Sequence, residues 1–139
     1  MSNNKKNTAV ILVGGLGKRL RPLTKTIPKP LLKFGSKTIL DIIVSNLIKN
    51  KFNYIILAAK YKSERFEYEI IRLRKYYPKI KFDISIEAKP LGTCGPLSLI
   101  EDRLPQQFLV INGDIISNIN LRKAIIRFKL SSSPLMVFS

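Results

Sequence analysis

Five apolar residues in a row, Ala9-Val10-Ile11-Leu12-Val13, run straight into the glycine pair Gly14-Gly15. An unbroken apolar run of this length, closed by turn residues, reads as a strand buried on both faces, the kind found inside a parallel sheet. The glycines, with a third at Gly17, let the backbone turn sharply and come close to a ligand, because they carry no Cβ. Amide groups exposed in such a turn form a concave nest for anions. The stretch that follows is basic, with Lys18, Arg19, Arg21, Lys25 and Lys29 punctuated by Pro22, Pro28 and Pro30. Arg19 can grip a phosphate through two parallel N–H bonds. The chemistry implied is polyphosphate binding beyond the carboxyl end of a parallel strand.

Two better-known phosphate motifs do not fit. A dinucleotide fingerprint needs G-x-G-x-x-G and an acidic residue about 20 positions on. Here Leu20 stands in place of the last glycine, and the second strand ends in Ala58-Ala59-Lys60. A Walker A loop needs G-x-x-x-x-G-K-[ST], but Gly17-Lys18 is followed by Arg19 and the glycine spacing is wrong.

Composition narrows the function classes. The 139 residues carry 25 Lys and Arg against nine Asp and Glu, a net charge of +16. Nine of the basic residues fall in the first 40 positions, and the first acid is Asp41. Such a balance suits nucleic acid, an anionic membrane surface or a phosphorylated substrate. The aromatic residues are not clustered with the basic ones, as a base-stacking surface requires, so nucleic acid is disfavoured. There is no apolar run long enough to span a membrane. No His and a single Cys exclude a zinc site, and Cys94 alone allows no internal disulfide. The polar start, residues 1–7, is not a signal peptide. A reducing, cytoplasmic setting is expected, and the length suits one domain.

Along the chain, strands and helices alternate. Strands are expected at 8–13, 54–59, 81–87, 108–111 and 135–138. Helices are expected at 37–50 with Ser36 as cap, 63–77 with Phe66, Ile70, Ile71 and Leu73 inward, 94–103, and 121–130 with Asn120 as cap. The 81–87 strand alternates in polarity and belongs at a sheet edge. The proline-rich segment to Ser36 reads as a long, stiff binding loop. Alternation of this kind means βαβ units and a parallel sheet with helices on its faces. Ligands in such folds bind beyond the strand carboxyl ends. The glycine turn, the 87–95 loop and Asp114 all follow strand ends. Taken alone, Lys29 reads as a solvated loop lysine, Asn112-Gly113-Asp114 as a turn, and Glu87 as an exposed strand-end residue.

Four segments together say more. Gly14-Gly15-Leu16-Gly17-Lys18-Arg19-Leu20-Arg21-Pro22-Leu23-Thr24, then Pro28-Lys29-Pro30-Leu31-Leu32, then Pro90-Leu91-Gly92-Thr93-Cys94-Gly95-Pro96-Leu97, then Asn112-Gly113-Asp114 resemble the signature of the sugar-nucleotide pyrophosphorylases. These sugar-1-phosphate nucleotidyltransferases join a sugar 1-phosphate to a nucleoside triphosphate and release pyrophosphate. The resemblance implies a Rossmann-like three-layer α/β fold with a mostly parallel sheet, here C-terminally truncated. It also implies that residues 1–139 are the N-terminal, nucleotide-binding part of the catalytic domain.

The same resemblance assigns roles. Arg19, Lys29 and Asp114 are the catalytic candidates. Arg19 would clamp the triphosphate, Lys29 would neutralise the α-phosphate and the sugar phosphate, and Asp114 would hold Mg²⁺. Leu12, Gly14, Gly15, Gly17, Lys18, Arg19, Glu87, Gly92 and Thr93 are the nucleotide-binding candidates, with Glu87 and Gly92 beside the base and Lys18 turned toward solvent. The Pro90-Leu91-Gly92-Thr93-x-Gly95 variant resembles enzymes that pair a mannose-type or heptose 1-phosphate with a guanine nucleotide, GTP. The family's second half supplies most sugar contacts and a second metal-binding aspartate, and no Asp or Glu follows Asp114. Expected outcomes are therefore a nucleotidyltransferase of nucleotide-sugar biosynthesis, or a nucleotide-binding or regulatory module without turnover. A homo-oligomer or a second, completing chain is a further expectation.

Overall fold

A computed structural model of the chain describes residues 7–15, 26–60, 64–89, 91–92, 95–117 and 119–137. The strands are β1 (Thr8–Leu12), β2 (Lys33–Phe34), β3 (Lys37–Thr38), β4 (Tyr54–Ala59), β5 (Lys81–Ile86) and β6 (Leu109–Asn112). The helices are α1 (Ile39–Lys49), α2 (Glu64–Tyr76), the single turn α3 (Gly95–Ser98) and α4 (Leu121–Leu130). Tight 3-10 turns occupy Lys29–Leu31 and Glu101–Arg103.

Four strands form one sheet in the order β5-β4-β1-β6, and every neighbouring pair is parallel. The apolar run seen in the sequence is the reason β1 sits inside: Ala9, Val10 and Ile11 have no exposed surface. β4, Tyr-Ile-Ile-Leu-Ala-Ala, is buried from end to end beside it. One sheet face, with Ile11, Leu57 and Phe82, packs on Leu40, Val44 and Leu47 of α1, Phe66, Ile70 and Leu73 of α2, and Leu121 of α4. The other, with Val10, Ile56 and Ala58, packs on Leu97, Ile100 and Leu104. The fold is a three-layer, Rossmann-like α/β arrangement whose second helical layer is thin.

Several expectations need correction. The helix placed at 37–50 starts at Ile39, and its cap is Thr38 rather than Ser36. Thr38 Oγ1 accepts from the Asp41 amide at 3.0 Å, and Asp41 Oδ2 accepts from the Thr38 amide at 3.0 Å, a reciprocal capping box. Ser36 instead lies in the turn of the β2–β3 hairpin, which interrupts the expected loop. Ile71 points outward at 63% exposure, because the buried set Phe66, Ile70 and Leu73 leaves it on the helix shoulder. The 94–103 helix is broken at Leu99-Ile100, and the break turns Ile100 fully into the second core. Residues 135–137 are not a strand, and Leu135 and Val137 stay exposed. The sheet edge on that side is β6.

Candidate functional site

β1 is joined in sequence toward β4 on one side, while β6 lies against its other side. Between the carboxyl ends of β1 and β6 the chain order reverses, and there a crevice opens in any sheet of this kind. In this protein it is a cleft of about 80 Å³ lined by Leu12, Val13, Gly15, Lys29, Pro30 and Asp114.

Local structure sets each wall. The ladder between β1 and β6 continues past the strands through the Gly113 amide, which donates to the Leu12 carbonyl at 2.9 Å. A Cβ on residue 113 would lie 2.8 Å from Val13 Cγ1 and 2.9 Å from the Leu12 oxygen, so only glycine brings the chain this close. Asp114 is thereby held over the end of β1. Opposite, Pro28 and Pro30 flank Lys29, and the 3-10 turn is closed by the Leu31 amide on the Pro28 carbonyl at 2.8 Å. Pro30 is buried and anchors the turn.

Lys29 and Asp114, 85 residues apart in sequence, meet: Nζ donates to Oδ2 at 3.0 Å. Both side chains keep solvent access, 30% and 43% exposed. An ion pair this open adds little to stability. It is an arrangement that an incoming anion and cation can take apart, the ammonium turning to phosphate and the carboxylate to a hard metal ion.

At the other side of β1 stands Glu87, just beyond β5. Its amide donates to the Ala59 carbonyl at 2.9 Å, which fixes it beside the end of β4. The residue is 1% exposed, not at the surface as its strand-end position suggested. Neither carboxylate oxygen has a hydrogen-bond partner among the described residues. Burying such a group without a partner is costly, so it is a strong acceptor held ready for donors. Gly92 adopts a positive φ of 79° in the exposed loop that follows. Gly15 is exposed, with open space where a Cβ would stand.

The structure thus brings Leu12, Gly15, Lys29 and Asp114 to one crevice, with Gly14 in the adjoining turn against the Lys60 stem, and places Glu87 two strands away along the same row of strand ends. Gly17, Lys18, Arg19 and Thr93 lie outside the described residues. Sequence reasoning missed the steric role of Gly113, although a glycine directly after an apolar strand was the available signal. The burial of Glu87 had no signal, since alternation rules never place a lone carboxylate inside.

The fold is Rossmann-like, with a cleft at its strand ends that carries a lysine and a carboxylate. The chain belongs to the nucleotidyl transferase family, whose model matches residues 8–138. Over 111 residues it is 47% identical to the mannose-1-phosphate guanylyltransferase catalytic subunit beta of Danio rerio, covering 78% of this chain and 31% of that protein. It is 44% identical over 110 residues to the mannose-1-phosphate guanyltransferase of Neurospora crassa, covering 77% and 30%. The chain therefore spans less than a third of the length of these relatives. Among solved structures, HddC from Yersinia pseudotuberculosis complexed with GMP-PN superposes with a TM-score of 0.73 at 34% identity, covering 89% of this chain and 54% of that one. UDP-glucose pyrophosphorylase from Acinetobacter baumanii gives a TM-score of 0.76 at 19% identity over 91% and 54%, a likeness of fold.

Proposed function

We propose that residues 1–139 form the nucleotide-binding part of a sugar-1-phosphate nucleotidyltransferase, which joins a nucleoside triphosphate to a sugar 1-phosphate and releases pyrophosphate. The observation that carries this reading is the Lys29–Asp114 pair facing the glycine turn at the switch point of the sheet. In the reaction a phosphate oxygen of the sugar 1-phosphate attacks the α-phosphorus of the triphosphate. A new P–O bond forms, the bond from the α-phosphorus to the bridging oxygen breaks, and pyrophosphate leaves with the electron pair. No proton transfer is essential, so alignment and charge neutralisation carry the catalysis and the absence of His is no obstacle.

The roles follow the chemistry of the groups. Lys29 neutralises the α-phosphate and the attacking phosphate. Arg19 clamps the triphosphate, the amides of Gly15 and Gly17 cradle it, Gly14 at the start of the turn lies beside the ribose and base, and Lys18 faces solvent. Asp114, a half-exposed carboxylate at a strand end, fits Mg²⁺, which is commonly held by one or two carboxylates plus substrate phosphates. Bound there, the metal would offset charge on the phosphates. Leu12, Gly92 and Thr93 bound the base and ribose. Glu87 is an acceptor for a base edge carrying N–H donors. Guanine, with its N1–H and N2 amino group side by side, satisfies both oxygens, which supports GTP. The sugar is expected to be of the mannose or heptose type. The setting is expected to be cytoplasmic, and no described helix is long and apolar enough to cross a membrane. A homo-oligomer or a completing second polypeptide would use the β6 edge.

A second reading, a nucleotide-binding module without turnover, is favoured by one observation. Asp114 is the one carboxylate lining the described cleft, where the family resemblance implies two metal-binding aspartates. One experiment separates the two. The protein is titrated calorimetrically with GTP, dTTP, CTP and UTP in Mg²⁺, then assayed for pyrophosphate release with mannose 1-phosphate and glucose 1-phosphate. Base-selective binding with release is the expected outcome for the enzyme. Binding without release supports the module, and no binding to any nucleotide removes both.

A further inference from the structure

Along the carboxyl edge of the sheet the strand ends follow the order Glu87 after β5, Lys60 after β4, Gly14 after β1 and Asp114 after β6. Lys60 is the one position in this row without an assigned role. Its place is fixed from both sides. The Val13 amide donates to the Ala58 carbonyl and the Glu87 amide to the Ala59 carbonyl, each at 2.9 Å, so the ladder continues to the residue before Lys60. The Lys60 stem lies across Gly14: a Cβ built there would be 2.5 Å from Cγ, 3.0 Å from Cδ and 3.1 Å from Cε. The missing side chain at position 14 is what lets the lysine run over the glycine turn. The residue is half-buried. Among the described residues no carboxylate pairs with its ammonium, and the orphaned Glu87 next in the row does not reach it.

A lysine that buries its methylene stem along the floor of an anion-binding turn, and leaves its ammonium unpaired, is charge held ready for an anion. We infer that Lys60 is a further phosphate-binding residue of this site, gripping the phosphate chain of the bound nucleotide from the β4 side, opposite Lys29. The inference rests on the nucleotide reading above. It assigns Lys60 to the phosphates and not to the base, because its stem runs over the glycine turn whose amides form the anion nest.

The test compares GTP with guanosine, both in Mg²⁺, by calorimetric titration of the wild-type chain, K60M and K60R, with circular dichroism to verify folding of each. K60M keeps the stem and removes the charge. It is expected to weaken GTP by about tenfold, the worth of one charge-assisted contact, and to leave guanosine within about twofold. K60R keeps the cation and is expected to hold GTP within about threefold of wild type. Unchanged GTP affinity in K60M overturns the inference while leaving the nucleotide reading intact. So does an equal loss for GTP and guanosine, or a fall in K60R as large as in K60M. A wild-type chain that binds neither ligand overturns both.

Discussion

Glu87 is a buried carboxylate that costs the free protein stability, a cost that a ligand carrying N–H donors would offset. Its two oxygens are buried and unpaired among the described residues, so a neutral side chain of the same shape is easier to bury. E87Q should therefore raise the thermal midpoint of the ligand-free chain, read by circular dichroism, while weakening GTP by about tenfold through loss of a charged acceptor. A variant that gains no stability and keeps full GTP affinity would contradict both the burial cost and the binding role of Glu87. Lys29 and Asp114 behave differently. Their pair is open to solvent, so K29A and D114N should unfold within about 1 kcal/mol of wild type by urea titration. Both should sharply reduce Mg²⁺-dependent nucleotide binding. The glycine turn, Lys29 and Asp114 were legible as separate motifs in the sequence. That Lys29 touches Asp114 was not, because the contact exists only once β6 lies beside β1, and nothing local in either motif encodes that adjacency.

At the scale of elements, α1 and α2 are tied by a small network that also sets the acid limit of the fold. Arg72 of α2 bridges Glu69 and Asp41. Burial alone would raise the Asp41 pKa, but hydrogen bonds from Arg72 and Thr38 outweigh it and hold the carboxyl below its ordinary value of 3.8. A carboxyl depressed in the folded state stabilises it above the unfolded value, and that stability is lost as pH falls through the folded one. Unfolding followed by fluorescence should therefore steepen below about pH 4, and D41N should flatten this limb. T38A, which removes the cap, should cost about 1 kcal/mol. Between strands, burial and then a bond from the Tyr54 hydroxyl to Asp83 Oδ2 at 2.6 Å push the Tyr54 phenol up to about 12. Its contribution is complete below pH 10, lost as pH rises toward 12, and absent in Y54F. The bounds of β4 and α4 were legible because a continuous apolar run and the Asn120 cap are local signals. The start of α1 was not, because two capping candidates, Ser36 and Thr38, stand close together and the hairpin decides between them.

For the whole molecule, charge and an open edge pull in opposite directions. β6 bears Val110 at 39% exposure and pairs only with β1 among the described residues. Such an edge invites pairing with another chain, while a net charge of +16 keeps copies apart at low salt. Light scattering should show association that grows from about 0.01 to 0.15 M salt as repulsion is screened, and V110K should suppress it. The parallel sheet was legible from alternation of elements alone. The edge position of 81–87 was legible too, but the strand expected at 135–138 is absent over the described residues 135–137, because an apolar segment without a neighbour to pair with reads the same in sequence as one with a neighbour.

The central claim is that a nucleotide sits across the carboxyl ends of β1, β4, β5 and β6. Hydrogen exchange measured by mass spectrometry with and without GTP and Mg²⁺ tests it most directly. The account predicts protection confined to residues 12–15, 29–32, 60, 87–92 and 113–115, and loss of that protection in D114N. Protection centred on α4, or none at the strand ends, would contradict it.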